Sequence, residues 1–211
     1  MPICLGIDIG SASVKVAVVR STYRRLALAR VASAEVGSSG GVAAAVRAAA
    51  AQALAGEPEP VDAVAVAIDG SRAAIHRLTL PQSAQRQLAE VLGFELEAQV
   101  PFDFSGAVFD WRLLERGPGQ EDLTIVAAVA KIEDVRACID VVKEAIGQEP
   151  ERVAVGAFVL GALVPFVPAL AEGETAAIVD LGAKTSEVLV LERGEAVFAR
   201  TVSAGTEGLP A

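Results

Sequence analysis

The 211-residue chain has few of the side chains that carry metal and nucleic-acid chemistry. Aromatic residues make up 4% of it, histidine occurs once, as His76, and the two cysteines, Cys4 and Cys138, stand far apart. Reading single strands takes aromatic platforms, and neutralising a phosphate backbone takes a basic face. Here 18 Lys and Arg are set against 27 Asp and Glu, a net charge of −9, which argues against nucleic acid as a partner. A zinc site needs three or four protein ligands, and one histidine with two distant cysteines cannot supply a Cys/His set. The cysteines form neither a CxxC pair nor a spaced disulfide framework, and are expected as buried apolar thiols in a reducing cytoplasm. No basic segment precedes the first apolar run, and Asp8 interrupts that run, so no signal peptide is expected.

Hydrophobic residues are plentiful at 53%, and with so few rings the core must be aliphatic. The length allows one large domain or two small ones. Val153 to Ala171 carries no charge and matches a membrane span in length, but Gly156, Gly161, Pro165 and Pro168 fall inside it. Two prolines would break a spanning helix, so the segment is read as a short strand, Arg152 to Val155, followed by a packed core helix.

Strand-like runs cover Ile3 to Ile9, Val14 to Arg20 and Leu26 to Ala34. An Ala-rich helix over Val42 to Ala55 follows, stopped by Gly56 and Pro58, and then a strand from Val61 to Ile68 ending in the turn Asp69-Gly70. This gives β-β-β-α-β for residues 1–71. The block 72–150 reads as an inserted strand-helix-strand-strand subdomain. Ala73 to Leu80 is its first strand, Ser83 caps a helix running to Gln99, and Pro101 ends that helix. Val108 to Leu114 and Leu123 to Ala130 form a hairpin through Arg116-Gly117-Pro118-Gly119, and Ile132 to Ile146 has helical spacing. Residues 151–211 return to the first subdomain and begin another, with strands over 175–180, 186–191 and 196–202.

An internal repeat carries the most information. Ile7-Asp8-Ile9-Gly10-Ser11-Ala12-Ser13-Val14-Lys15-Val16 recurs as Val179-Asp180-Leu181-Gly182-Ala183-Lys184-Thr185-Ser186-Glu187-Val188. Each copy closes a strand with Asp-x-Gly, turns through small and hydroxyl residues, and opens another strand. That chemistry suits a polyphosphate: glycine admits the backbone closely, while amides and the hydroxyls of Ser11, Ser13 and Thr185 can donate to phosphate oxygens. Asp8 and Asp180 can hold Mg²⁺ through its waters, and Lys15 can counter phosphate charge. Glu187 stands where the first copy has Lys15, which breaks the symmetry. A lone Asp-x-Gly is more often only a turn; two copies in matching contexts argue for a fold before they argue for retained chemistry.

These residues resemble a known family. Asp8-Ile9-Gly10-Ser11 and Asp180-Leu181-Gly182-Ala183 look like the two phosphate loops of the actin-like superfamily. Val64-Ala65-Val66-Ala67-Ile68, Arg77-Leu78-Thr79-Leu80-Pro81, Glu95 through Val100-Pro101-Phe102 and Phe109-Asp110-Trp111 are similar to PilM-type proteins, which share an inserted subdomain with the division protein FtsA. Ala199-Arg200-Thr201-Val202 with Gly205 resembles the segment after their second phosphate loop, although Thr206 stands where they tend to repeat glycine.

The resemblance implies an α/β, actin-like (ribonuclease H-like) fold with an inserted strand-helix-strand-strand subdomain and a second actin-like domain that is truncated here. The adenosine-binding glycines would then lie beyond residue 211. It further implies a cytoplasmic scaffold at the inner membrane, with type II secretion (GspL-like) slightly preferred over type IV pilus assembly (PilM-like). Its partners would be a hexameric, GspE-like ATPase and GspM- or PilN-like membrane proteins, and the −9 charge would suit docking to a basic ATPase domain. No cofactor is required in this reading, ATP with Mg²⁺ being a ligand for the intact protein at Asp8, Gly10, Ser11, Ser13, Lys15, Asp180, Gly182 and Thr185. Hydrolysis lacks a base to orient water. The competing reading is an ATPase or sugar-kinase relative, for which Asp69-Gly70-Ser71 is the nearest source of a carboxylate. Outside the repeat, His76 reads as a surface or subdomain contact, Trp111 as subdomain core, and Pro101-Phe102-Asp103-Phe104 either as packing for the preceding helix or as a partner contact.

Overall fold

The computed structural model describes residues 2–23, 25–57, 60–115 and 121–208. β1 (Ile3–Ile9), β2 (Ser13–Thr22) and β3 (Arg25–Glu35) form an antiparallel meander, followed by a one-turn helix α1 (Val36–Ser39) and by α2 (Val42–Ala53). The chain re-enters the sheet as β4 (Ala63–Ile68), parallel to β1. Then come β5 (Ala73–Leu80), α3 (Leu88–Glu97), β6 (Ala107–Leu113), β7 (Leu123–Lys131) and α4 (Ile132–Ile146). β8 (Arg152–Val155) lies parallel to β4, and α5 (Pro168–Glu172) leads into β9 (Thr175–Leu181), β10 (Ser186–Glu192) and β11 (Glu195–Val202).

The strands make three sheets, ordered β3-β2-β1-β4-β8, β5-β7-β6 and β11-β10-β9. One face of the first is packed by α2 and α4. α2 buries Ala45, Val46, Ala49, Ala50 and Ala53, a helical stripe whose small side chains let it lie close to the strands. Fully burying Val46 alone contributes about 2 kcal/mol. α4 has Glu133 and Asp134 in its first turn and Lys143 in its last, matching the helix dipole, and Gly147 closes it in the left-handed conformation at φ 79°. Within the stretch 72–150 the structure separates α4 from the three strands before it: Val142 and Ala145 join the core of the first sheet, while the inserted sheet closes on α3 through Leu92 and Leu96.

Three local expectations are corrected. The helix capped by Ser83 is a 3-10 run over Gln82–Gln87 followed by α3, and no side chain caps α3. Pro81 holds extended backbone at ψ 150°, the Ala84 amide bonds back to its carbonyl, and the polar residues that follow have no apolar stripe to bury. The packed core helix after β8 is another 3-10 run, Gly156–Phe166, with Pro165 inside; only Ala157 is fully buried, and Val159, Leu163 and Phe166 face outward. Cys4 and Cys138 are half-buried free thiols, and burial pushes the Cys138 thiol up. Phe102, Phe104 and Trp111 pack partly buried against the inserted core, with Phe104 and Phe109 rings 5.7 Å apart. His76 Nε2 is buried with no hydrogen-bond partner among the described residues. The loop Arg116 to Gly119 lies outside the described residues. Among those residues no helix is long and apolar enough to cross a membrane.

Candidate functional site

The two halves of the repeat fold as the same hairpin. Asp8 pairs across the strands with Lys15, Ile9 with Val14, and the Gly10 amide donates to the Ser13 carbonyl at 3.1 Å. In the second copy Asp180 pairs with Glu187, Leu181 with Ser186, and the Gly182 amide donates to the Thr185 carbonyl at 3.0 Å. Glycine is required at both turns by space. A Cβ on Gly10 would stand 2.8 Å from Ser13 O, and one on Gly182 would stand 2.6 Å from Thr185 O.

Both hairpins open on one cleft of about 450 Å³, floored by the ends of β1, β4 and β8. All eight residues singled out from the sequence line it: Asp8, Gly10, Ser11, Ser13, Lys15, Asp180, Gly182 and Thr185. Lys15 Nζ lies 3.1 Å from Asp8 Oδ2, and both side chains are more than half exposed, so this pair adds little stability and leaves the ammonium free to turn to an anion. The segment after β11 folds over the second turn, where the amides of Thr206 and Glu207 donate to Gly182 O at 2.9 Å and Ala183 O at 3.0 Å. A side chain at Gly205 would collide with the Ala183 backbone, which accounts for the glycine there.

The cleft is more acidic than the repeat alone implies. Asp69 and Glu187 join Asp8 and Asp180 along its wall, with Lys15 as the basic residue among its lining. Asp69 is engaged locally, accepting from the Ser71 amide at 2.8 Å and the Ser71 hydroxyl at 2.6 Å. Glu187 accepts from the Gly70 amide at 3.3 Å. Burial pushes the Glu187 carboxyl above the usual carboxylate range; the Gly70 amide opposes this, and the charges of Asp69, Asp180 and Asp8 add to it. From the sequence, Glu187 stands out only as a weakening of the symmetry between the two copies. Its seat is formed by Gly70 and Gly156, whose places after β4 and β8 do not by themselves point to Glu187.

Among the described residues no three His, Cys, Asp or Glu side chains come together as direct metal ligands. Mg²⁺ commonly keeps its waters and binds through one or two carboxylates plus substrate phosphate; Asp8 and Asp180 both line the cleft. A second, more open groove of about 680 Å³ runs between the inserted sheet and α4, lined by Phe102, Asp103, Lys131, Ile132, Glu133 and Arg136 among others.

The sequence profile of a family described as type IV pilus assembly protein PilM matches residues 6–210. No curated protein sequence matches the chain. Among solved structures the chain is similar to a PilM-PilN type IV pilus biogenesis complex, at 22% identity and a TM-score of 0.77, over 96% of this chain and 62% of that one. It thus spans under two thirds of that relative's length. It is also similar to the cytoplasmic domain of EpsL, an inner-membrane component of the type II secretion system of Vibrio cholerae. There the identity is 21% and the TM-score 0.58, over 95% of this chain and 71% of that one. A Bacteroides thetaiotaomicron protein with an actin-like ATPase fold overlaps at 10% identity and a TM-score of 0.50, over 97% of this chain and 71% of that one. At these identities the likeness establishes the actin-like fold.

Proposed function

The chain belongs to the type IV pilus assembly protein PilM family, and from that premise we propose that it is a scaffold on the cytoplasmic face of the bacterial inner membrane. In this reading it ties a hexameric secretion or pilus ATPase to a membrane partner. The family match to PilM supports a pilus-assembly role, and the likeness to the EpsL cytoplasmic domain supports the type II secretion role preferred from the sequence. The membrane partner is PilN-like, by analogy with the complex in that similar structure. Its cytoplasmic tail docks in the groove beside α4, where Phe102 and Ile132 offer apolar contact and Arg136 and Lys131 stand next to Asp103 and Glu133.

The cleft is proposed to hold Mg²⁺-ATP as a structural ligand. Gly10, Ser11, Ser13, Gly182 and Thr185 would donate to phosphate, Lys15 would counter its charge, and Asp8 and Asp180 would hold the ion through its waters. The observation that supports a binding role over a hydrolytic one is that Asp69 and Glu187, the two further carboxylates at the cleft, are each engaged by a backbone amide.

Calorimetric titration with a peptide of the PilN-like cytoplasmic tail tests the scaffold role. The expected result is a one-to-one complex at micromolar concentration, weakened about tenfold or more by Arg136→Glu, the size of a lost charged contact at an interface. No complex with the wild-type protein at those concentrations would overturn the docking assignment.

A further inference from the structure

The joint between the two hairpin-bearing lobes is built on two glycines. Gly70 follows Asp69 just past the end of β4, and Gly156 comes directly after β8; Gly156 and Asp69, the neighbour of Gly70, line the cleft. A side chain built on Gly70 would meet Thr201 Oγ1 and Glu187 Oε1; one built on Gly156 would meet Glu187 Oε1 and, at 2.8 Å, the Cα of Gly70 itself. Glu187 and Thr201 are cross-strand neighbours on β10 and β11. The carboxyl of the second hairpin therefore sits in a seat of two touching glycines from the first lobe, with the Gly70 amide donating to it.

The seat lies at a junction of three sheets. Gly70 opens the single 3-10 turn Gly70–Arg72, and β5 of the inserted sheet begins at the next residue. Further along, that sheet is bound to β10 and β11: Leu114 and Val126 share a core with Val197 and Val190, Arg112 donates to Ala196 O at 2.7 Å, and Arg77 pairs with Glu192 at 3.5 Å. The inserted sheet is thus held at two places, its root at Gly70 and its contacts on the second lobe. It also ends in Lys131 of β7, one wall of the groove beside α4.

We infer that Glu187 is a positioning residue that couples the cleft to the inserted sheet. Whatever draws the second hairpin away from Gly70 and Gly156 loosens the root of β5, and whatever holds the hairpin there fixes it. The coupling is a property of the lobe joint and holds with the cleft empty, so it stands apart from the nucleotide assignment.

Hydrogen–deuterium exchange of the nucleotide-free protein tests it in wild type, Glu187→Ala and Glu187→Gln. Glu187→Ala is expected to speed exchange across residues 70–80 about tenfold, the effect of one lost hydrogen bond, and to leave the Asp8–Lys15 hairpin unchanged. Glu187→Gln keeps an acceptor oxygen in the seat and is expected to exchange as wild type there. Unchanged exchange over 70–80 in Glu187→Ala would overturn the inference, as would an equal rise in the first hairpin. So would a Gln variant that behaves like the Ala one, since the seat would then play no part.

Discussion

The two hairpins share a turn and differ in what each does with the residue seven places after its aspartate. In the first, Lys15 pairs with Asp8 and stays more than half exposed. In the second, Glu187 is drawn down onto Gly70 and Gly156. One copy keeps its charge available to a ligand, and the other uses its charged group to join two lobes. A repeat in sequence thus fixes the backbone geometry of both sites without fixing their roles.

The largest expected effects come from the strands beneath the hairpins. Leu189 of β10 is fully buried in the second lobe, and Leu189→Ala should destabilise by about 3 kcal/mol in denaturant unfolding. Val16→Ala in β2 should cost less, about 2 kcal/mol, because fewer atoms are removed from an equally buried site. Equal losses would contradict this ordering.

At the turns, Gly182→Ala and Gly10→Ala should each cost about 1–3 kcal/mol, with Gly182→Ala the worse because its Cβ comes closer to a carbonyl. Lys15→Ala should change stability by less than about 0.5 kcal/mol, because its ion pair is exposed. The same variant should weaken Mg²⁺-ATP binding about tenfold, read by calorimetry. A large stability loss without an affinity change would reverse the contrast drawn between the hairpins.

The smallest effect concerns pH. The folded-state Glu187 carboxyl is raised, so the folded protein disfavours its ionised form. The stability linked to this group is fully present below the ordinary glutamate range and is lost as pH rises through the raised value. Glu187→Gln removes that loss and should raise the melting temperature at neutral pH by about 2 °C, with the gain vanishing in acid. A gain that grows toward low pH would contradict the sign.

Both hairpins were legible because Asp-x-Gly between two strand-like runs is a local pattern, and the β-β-β-α-β succession of residues 1–71 was legible from its apolar runs and its Ala-rich helix. The 3-10 run at Gln82–Gln87 was not, since its residues are compatible with either helix type and Pro81 decides through backbone geometry. The run Gly156–Phe166 misled because apolar composition does not say whether a segment has anything to bury against. The seat of Glu187 was hidden for a different reason. It depends on a contact between residues 117 positions apart, set by the packing of two sheets.

The claim that this is a nucleotide-holding scaffold and not a catalyst is tested most directly by titrating Mg²⁺-ATP while following both bound nucleotide and released phosphate. The account predicts saturable binding that is lost in Asp8→Asn, with phosphate release at background in both proteins. Steady release by the wild type that disappears in Asp8→Asn would contradict it, and so would an absence of binding.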